Sequence, residues 1–454
     1  MSLHSRKPSS RAALPRRNTR GPLDGFDPLS PPSPSASPAP QSLTSSAVSQ
    51  VKITGGDKRA AQHPPCIDDT PNDETEAEEK DLSFLLNATV YHPLSQLEVP
   101  ASFRQPFPQP SLAGRDVSKT FEDIDTLLSQ CDYLAAAYLS GGLLASGALK
   151  ATDQYQIFRA LQIRYSCLEL SGNVLLAAQE AKAFEDLGSA FYYVGLSDDE
   201  PAADQATDRP LPTHIMPFAL RLQAQRLQSI GFADPRRGVV ALFDLGLECR
   251  EHIASTSISE DRRQLWVQRL EEVGIRVVNA LIEMGDLDCA RRTLDSMKPS
   301  NPTSASIWAC RKVMLCLRMG LVAEARGLIG ASELQQSNTR LLKSLIAVAD
   351  DRMDDAVSVL TDTTLDADKD LLALAKQNAA VALLYKGELQ KARSLMESLI
   401  DEHESFSTLT INLATIHDLT SDQSRELKVA LANKIAADRQ LRQMRSFTNA
   451  DFKL

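Results

Sequence analysis

A short element recurs along the C-terminal half of the sequence and has the form of a turn between two helices. A turn residue, usually glycine, is followed five positions later by an alanine. Glycine supplies the backbone conformation of a tight turn, and the small alanine lets two helices approach closely. Four copies place their alanines 35, 31 and 36 residues apart: Gly285 with Ala290, Gly320 with Ala325, Asp351 with Ala356, and Gly387 with Ala392. The element therefore predicts a regular succession of α-helical hairpins.

Large apolar residues four positions after each alanine support this register, since residues four apart share one face of a helix. They are Leu294, Ile329, Leu360 and Met396. The intervals straddle the 34-residue period of tetratricopeptide repeats. The predicted fold class is all-α, a tetratricopeptide-like α-solenoid of helical hairpins. A generic α-solenoid and a helical bundle remain open, because they follow the same packing rules.

Weaker copies extend the pattern toward the N-terminus. They are Gly172 with Ala177, Cys131 with Ala136, and a longer turn around Gly231. The composition agrees with stacked helices, since 43% of the residues are apolar but only 5% are aromatic. β-Sheets favour aromatic and β-branched residues.

Composition divides the chain into three parts. Residues 1–80 are rich in serine and proline and poor in large apolar residues, which predicts a disordered arm. Residues 81–116 form a proline-containing linker, in which the apolar stretch 82–86 is either a docking motif or the edge of the fold. Residues 117–454 form the helical repeat domain, and the acidic, proline-containing stretch 197–212 is predicted to be an inserted loop.

The start of the arm is basic and rich in serine, as in mitochondrial transit peptides. Pro8 and Pro15 would break the amphipathic helix that such a peptide needs. Three Ser-Pro pairs, beginning at Ser30, Ser33 and Ser37, are candidate phosphorylation sites. A plain spacer remains the alternative.

Charge and cysteine usage limit the compartment and the partners. The net charge of -10 argues against nucleic acid, because no overall basic field attracts phosphates. The seven cysteines form no C-x-x-C pair and no signal peptide is visible, which favours a reducing compartment. No apolar run is long enough for a transmembrane helix. We expect a cytoplasmic protein.

No motif indicates an enzyme. The glycine-containing stretch 141–147 lacks the Lys-Ser/Thr of a P-loop and is interpreted as a turn between helices. His403 and His417 have no cysteine nearby in the sequence, so a metal site is not expected. We predict no catalytic residues, no cofactor and no small-molecule substrate.

Peptide binding is the second functional option. Some tetratricopeptide co-chaperones and import-receptor adaptors hold a C-terminal carboxylate with Lys, Asn and Arg side chains. Asn378 and Lys376 lie on the first helix of the best repeat, whereas Lys312 and Arg318 belong to another repeat. The matching basic residues on the neighbouring repeat are not evident.

Several stretches resemble a known family, that of subunit 12 of the trafficking protein particle (TRAPP) complexes. They are 378–389, 412–419 with the chain end 446–454, and 216–221, so the resemblance spans roughly residues 180–454. The arm and the loop at 197–212 show no match.

The resemblance implies a non-catalytic scaffold or adaptor. TRAPP complexes tether vesicles and exchange guanine nucleotides on Rab GTPases in ER-to-Golgi and Golgi traffic, with a link to autophagy. The implied partners are other TRAPP subunits, the large arm subunits among them, with Rab GTPases and membranes contacted only indirectly. The implied location is cytoplasmic, at ER-Golgi intermediate and Golgi membranes.

Two groups of residues carry these predictions. The expected repeat-packing residues are the glycines and alanines of the four copies together with Asn378. The amphipathic stretch 427–454 is predicted to be a helix that caps the last repeat or docks on a partner. In its tail, Phe447, Phe452 and Leu454 are the candidate partner contacts.

Overall fold

The computed structural model describes residues 80–97, 99, 101–108, 117–195, 211–256, 258–331, 334, 336–361 and 369–440. In these ranges the chain forms sixteen α-helices and one short β-ladder, so the predicted all-α fold class is confirmed. The helices are α1 (Val117–Ser129), α2 (Tyr133–Ala145), α3 (Gln154–Leu170), α4 (Val174–Glu180), α5 (Phe218–Gly231), α6 (Pro235–Ala254), α7 (Glu260–Glu283), α8 (Leu287–Ser296), α9 (Pro302–Arg318), α10 (Val322–Ala331), α11 (Gln336–Ala349), α12 (Met353–Thr361), α13 (Lys369–Tyr385), α14 (Leu389–Asp401), α15 (Ser407–Thr420) and α16 (Ser424–Gln440).

Contacts between helices follow the order of the chain. Each helix packs on the one before it and the one after it, and smaller contacts join α9 with α11 and α11 with α13. The odd-numbered helix of each pair is the first helix of a hairpin and the even-numbered helix is the second. Contact between neighbours is the organisation of a solenoid, in which each hairpin buries its apolar face against the next.

Seven of the turns inside hairpins, counted over the described residues, share one hydrogen-bonded form. At the fourth hairpin, the N–H of Asp286 donates to the carbonyl of Leu281 at 3.0 Å, and the N–H of Gly285 donates to Ile282 at 3.1 Å. This pair of bonds is a Schellman motif, which requires a left-handed residue after the helix. The left-handed residues are Cys131, Gly172, Ala233, Gly285, Gly320, Asp351 and Gly387.

The third hairpin differs from the turn predicted around Gly231. Gly231 is the last residue of α5, and the left-handed residue is Ala233, with φ 53°. The position five residues later is Gly238, where a Cβ would lie 2.6 Å from Cβ of Ser229. The two helices approach so closely here that even alanine is too large.

The glycines of stretch 141–147 do not all lie in a turn, contrary to the sequence interpretation. Gly141 lies inside α2 and is buried. A Cβ on Gly141 would lie 2.0 Å from Nη1 of Arg164 on α3. The absence of a side chain therefore makes room for a guanidinium between the two helices.

The described residues between 81 and 108, part of the segment 81–116 expected as a linker, pack against the helices. Leu82 and Leu85 are buried in the core formed by helices α1 to α5, and the N–H of Leu82 donates to the carbonyl of Ala151 at 2.9 Å. Phe103 is buried in a different cluster, among residues of helices α13 to α16. Burial of these apolar side chains opposes the freedom of a linker.

A two-stranded antiparallel ladder interrupts the helical array between α4 and α5. It pairs β1 (Tyr193–Val194) with β2 (Thr213–His214). The predicted loop at 197–212 connects these strands, but residues 196–210 lie outside the described ranges, as do the arm up to residue 79 and the tail 441–454. None of the helices in the described ranges has the length and apolar character needed to cross a membrane.

Candidate functional site

The predicted repeat-packing residues lie at the contacts between paired helices. Ala290, Ala325, Ala356 and Ala392 are all fully buried. Gly285, Gly320 and Gly387 have φ values of 81°, 76° and 82°, and the turn of the degenerate copy has Asp351 at 62°. Each buried alanine lies on the second helix of its hairpin, five residues after the turn residue.

Asn378 lies on α13 and is half-buried. Two of the three basic residues considered with it, Lys376 and Lys312, already have carboxylate partners. Nζ of Lys376 lies 2.6 Å from Oε1 of Glu402, and Nζ of Lys312 lies 2.9 Å from Oδ1 of Asp295. These contacts compete with a bound peptide carboxylate.

A buried ion pair, which sequence reasoning missed, joins α3 to α4. Arg164 and Glu180 are 2% and 1% exposed, and Nε and one Nη of Arg164 donate to the two carboxylate oxygens of Glu180, both at 2.6 Å. Another Nη of Arg164 donates to the carbonyl of Ala137 on α2 at 2.7 Å. This bidentate geometry compensates the desolvation of both charges.

The same ion pair holds the N-terminal segment. Glu180 accepts a hydrogen bond from the N–H of His92 at 2.9 Å, and Arg164 donates to the carbonyl of His92 at 3.2 Å. The Tyr91 ring lies under the guanidinium at 5.2 Å, and burial raises the pKa of its hydroxyl well above the usual range. No periodic signal in the sequence connects residues 91 and 164, because they meet only in the tertiary structure.

A second polar cluster lies at the base of the β-ladder. Arg221 on α5 donates to both carboxylate oxygens of Glu248 on α6, at 2.7 and 2.6 Å, and to the Tyr193 hydroxyl at 2.7 Å. The ring of His214 stacks on Tyr192 and accepts the N–H of Met216 at 3.0 Å. Burial, aided by the charge of Arg221, lowers the pKa of His214 to about 4. The cluster thus fixes both strands that lead into the loop.

The first helices of neighbouring hairpins are joined by polar side chains. Arg226 on α5 lies between Glu169 on α3 and Glu283 on α7, at 3.6 and 3.4 Å. Nε2 of Gln223 donates to the Ser166 hydroxyl at 3.3 Å. We call the surface formed by the odd-numbered helices the first-helix face. Polar side chains link α3, α5 and α7 along this face, and solenoids present faces of this kind to partners.

The second helices present a different surface. On α6, Val240, Phe243 and Leu247 are 58%, 49% and 55% exposed, and their spacing puts them on one helix face. An open groove of about 350 Å³ lies between α8, α9 and α10, and ion pairs such as Arg291 with Glu324 at 2.8 Å cross it.

Within the described ranges, no three His, Cys, Asp or Glu side chains come together as metal ligands. The candidate tail contacts Phe447, Phe452 and Leu454 lie outside those ranges.

Comparison with known proteins gives one similar sequence. No family model matches the chain. The chain is 23% identical over 363 residues to human trafficking protein particle complex subunit 12, in an alignment that covers 72% of this chain and 48% of that protein. The chain therefore spans about half the length of the curated relative it matches. The solved TPR domain of P58(IPK) aligns over 73% of this chain and 100% of its own at 12% identity, with a TM-score of 0.18, which is too low to bear on the fold.

The resemblance expected from the stretches between residues 216 and 454 is thus confirmed as a resemblance over most of the chain. The helices and the seven like turns described above supply the architecture independently of that alignment. The protein is a tetratricopeptide-like helical-repeat chain that is similar in sequence to subunit 12 of the trafficking protein particle complex.

Proposed function

We propose that this chain is a scaffold or adaptor subunit of a TRAPP complex that tethers vesicles and exchanges guanine nucleotides on Rab GTPases. On this proposal it binds other TRAPP subunits, large arm subunits among them, and contacts Rab GTPases and membranes indirectly. It acts in the cytoplasm, at ER-Golgi intermediate and Golgi membranes, and takes part in autophagy through the same complex.

The observation that carries the proposal is the similarity to human trafficking protein particle complex subunit 12, which extends over 363 residues. A match of that length includes many consecutive hairpins, so it reflects more than the period that all such repeats share. The matched protein is named as a subunit, and the shared hairpins offer extended faces to neighbouring subunits.

The architecture supports a role that is not catalytic. The buried polar clusters around Arg164 and Arg221 hold segments of the chain together, and their charged groups are neutralised by carboxylates inside the fold. In the described ranges the groove between α8, α9 and α10 is open rather than enclosed, which suits contact with proteins more than with small molecules. We propose that any nucleotide exchange takes place on other subunits.

The parts outside the described ranges have proposed roles as well. We also propose that the arm 1–80 is disordered. Phosphorylation at its Ser-Pro sites would add negative charge and so release or recruit a partner. The stretch 446–454 is proposed to contact a partner through Phe447, Phe452 and Leu454, because three large apolar residues within a short stretch suit insertion into a neighbouring groove.

The test is purification of the tagged native protein at moderate salt, followed by mass spectrometry of the proteins that co-elute. We expect stoichiometric recovery of TRAPP subunits. Recovery of chaperones without any TRAPP subunit would favour the co-chaperone or import-receptor alternative and refute the proposal.

Two deletions separate the roles of the termini. Deleting residues 446–454 should remove the TRAPP subunits from the eluate while the melting temperature stays unchanged. Deleting residues 1–9 is the matched control, a loss of the same length from the arm, and should leave the eluate unchanged. Full recovery after the first deletion would contradict the proposed tail contact but not the scaffold role.

A further inference from the structure

Helix α6 is apolar on the side that faces the core and again on the side that faces solvent. Leu242 and Leu245 are buried in the core between the third and fourth hairpins. Val240, Phe243 and Leu247, which we call the α6 stripe, are each about half exposed. Apolar residues scattered singly over a surface need no explanation, but a helix that is apolar on both sides is normally covered on both sides.

Packing within the repeat does not require the α6 stripe. Val240 and Phe243 follow the left-handed turn residue Ala233 by seven and ten positions. In α10 both of the corresponding positions are glycine. In α8, α12 and α14 they hold polar residues, namely Arg292 and Asp295, Ser358 and Thr361, and Ser394 and Glu397. The stripe is therefore a property of α6 and not of the hairpin that the chain repeats.

The charges at the two ends of the stripe indicate what fits it. Arg236 lies four residues before Val240 and Glu251 lies four residues after Leu247, so both share its helix face. Both are exposed, and neither forms an ion pair within the described ranges. The midpoint between Arg236 and Glu251 falls directly after Phe243, and Val240 and Leu247 have the same midpoint. A face with this symmetry complements itself after a rotation of 180°.

We propose that α6 pairs with α6 of a second copy of this chain, antiparallel, about a two-fold axis that passes directly after Phe243. Val240 of each copy packs on Leu247 of the other, and the two Phe243 rings meet near the axis. Arg236 of each copy faces Glu251 of the other, so each end of the contact gains an ion pair that the single chain lacks. One rotation thus satisfies the stripe and both of its end charges.

The size of the face sets the strength of this pairing. From Arg236 to Glu251 it is about 22 Å long, and one helix pair of that length buries less than the roughly 800 Å² per copy of a standard stable interface. Asp244 and Arg250 lie at its borders and stay in water, and Arg250 brings a second positive charge close to Arg236 of the other copy. We therefore expect a reversible dimer with a dissociation constant on the order of 10 μM.

Analytical ultracentrifugation of the purified full chain, from about 1 to 100 μM, brackets that dissociation constant and tests the pairing. Phe243→Lys should weaken dimerisation about tenfold or more, because it places an unpaired ammonium beside its own copy at the axis. Leu419→Lys is the matched control, since it makes the same change at a side chain that is 69% exposed on α15, and it should leave dimerisation unchanged. A chain that stays monomeric over the whole range, or an equal effect of the two variants, would overturn the proposal.

Charge reversal tests the two-fold register without touching the apolar residues. Arg236→Glu and Glu251→Arg should each weaken dimerisation about fivefold, because each places like charges together at both ends of the contact. The double variant Arg236→Glu with Glu251→Arg again pairs opposite charges and should restore the dissociation constant to within about twofold of the wild-type value. A double variant that dimerises no better than the single ones would rule out this register.

These measurements use the purified chain alone, so their failure is distinct from failure of the proposed scaffold role. If the wild-type chain is monomeric while Phe243→Lys removes TRAPP subunits from the affinity eluate, the stripe binds a different subunit and the pairing of two copies is wrong. If the chain dimerises as expected but no TRAPP subunit co-elutes, the pairing holds and the scaffold role fails.

Discussion

Single residues decide how closely the paired helices approach. Ala290, Ala325, Ala356 and Ala392 are completely buried where each second helix crosses the first. Gly238 takes the same place in the third hairpin, where even a methyl group would clash with Ser229. The size of one side chain per hairpin thus sets the distance between two helices, and with it the packing of the next hairpin.

Replacing a buried alanine of this set by leucine should therefore destabilise the fold. We expect Ala392→Leu to lower the free energy of unfolding by about 1–3 kcal/mol, because extra methyl groups force the two helices apart. Ala349→Leu makes the same change at an exposed position and should shift it by no more than about 0.5 kcal/mol. Urea denaturation followed by circular dichroism measures both, and equal effects at the two positions would contradict the packing role.

Gly285, in a turn, and Gly327, inside a helix, should respond to alanine in opposite directions. Gly285 has φ 81° and Gly327 lies within α10, and a Cβ on either meets no atom within 4 Å. Gly285→Ala should cost about 1–2 kcal/mol of backbone strain, whereas Gly327→Ala should stabilise the chain by about 0.5–1 kcal/mol. Thermal denaturation of the two variants tests the prediction, which fails if both move the melting temperature in the same direction.

His214 should make the folded state sensitive to mild acid. Burial lowers its pKa to about 4, so the unfolded chain, with an ordinary pKa near 6.5, binds the proton more tightly. The contribution of His214 to the free energy of unfolding is therefore complete above about pH 6.5. As the pH falls toward 4, the free energy of unfolding decreases by about 2–3 kcal/mol. Urea denaturation across this pH range measures the loss. His214→Gln keeps hydrogen-bonding atoms but cannot be protonated in this range, so the free energy of unfolding should vary less with pH. The same pH dependence in the variant would exclude His214 as its source.

At the scale of the element, polar contacts between helices decide which segments stay attached. Arg164 connects α3 to the carbonyl of Ala137 on α2 and to Glu180 on α4. The backbone of His92 completes the network from outside the helices. Because all these groups are desolvated together, removing one leaves the others without compensation.

Loss of the Glu180 charge should therefore be severe. We expect Glu180→Gln to destabilise the chain by about 3–5 kcal/mol, since it leaves the Arg164 guanidinium buried without its counter-charge. Asp125→Asn is the control, because it removes an ion pair to Arg159 that is partly exposed, and it should cost no more than about 1 kcal/mol. Limited proteolysis should also detect faster cleavage near residue 92 in Glu180→Gln alone. Equal stability of the two variants would show that the buried pair contributes no more than the partly exposed one.

At the scale of the described part of the molecule, the segment before α1 contacts hairpins that are far apart in the sequence. Leu82 and Leu85 pack among helices α1 to α5, whereas Phe103 packs among helices α13 to α16. Phe107 stacks on Tyr138 of α2, with ring centroids 4.5 Å apart. The segment therefore connects the first hairpin to the last, a contact that an open array of neighbours lacks.

Removal of the Phe103 ring should loosen the C-terminal end of the array. We expect Phe103→Ala to lower stability by about 3–5 kcal/mol and to speed amide hydrogen exchange in α15 and α16, because these helices lose part of their buried contact. Leu97→Ala, at a side chain that is 81% exposed in the same segment, is the control and should leave exchange unchanged. Faster exchange confined to α1 and α2 would contradict the contact.

Local chemistry explains how much the sequence alone revealed. Turns such as Gly387 with Ala392 depend on contacts within about one helical turn, so their signature stands in consecutive residues. The same logic predicted the all-α fold, the period and four of the seven turns, with weaker indications at Cys131 and Gly172. It misplaced the third turn, because Ala233 adopts the left-handed conformation without the glycine that signals it.

Contacts between distant residues were decided only by the tertiary structure. The pairing of Arg164 with Glu180 and the docking of Phe103 on the last hairpins both depend on which side chains the solenoid brings together. Gly141 shows the difference most directly, since its stretch resembled a turn, yet it lies inside a helix to make room for Arg164. A sequence period determines the repeat because hairpins form locally, but burial and charge pairing across hairpins depend on the geometry of the whole array.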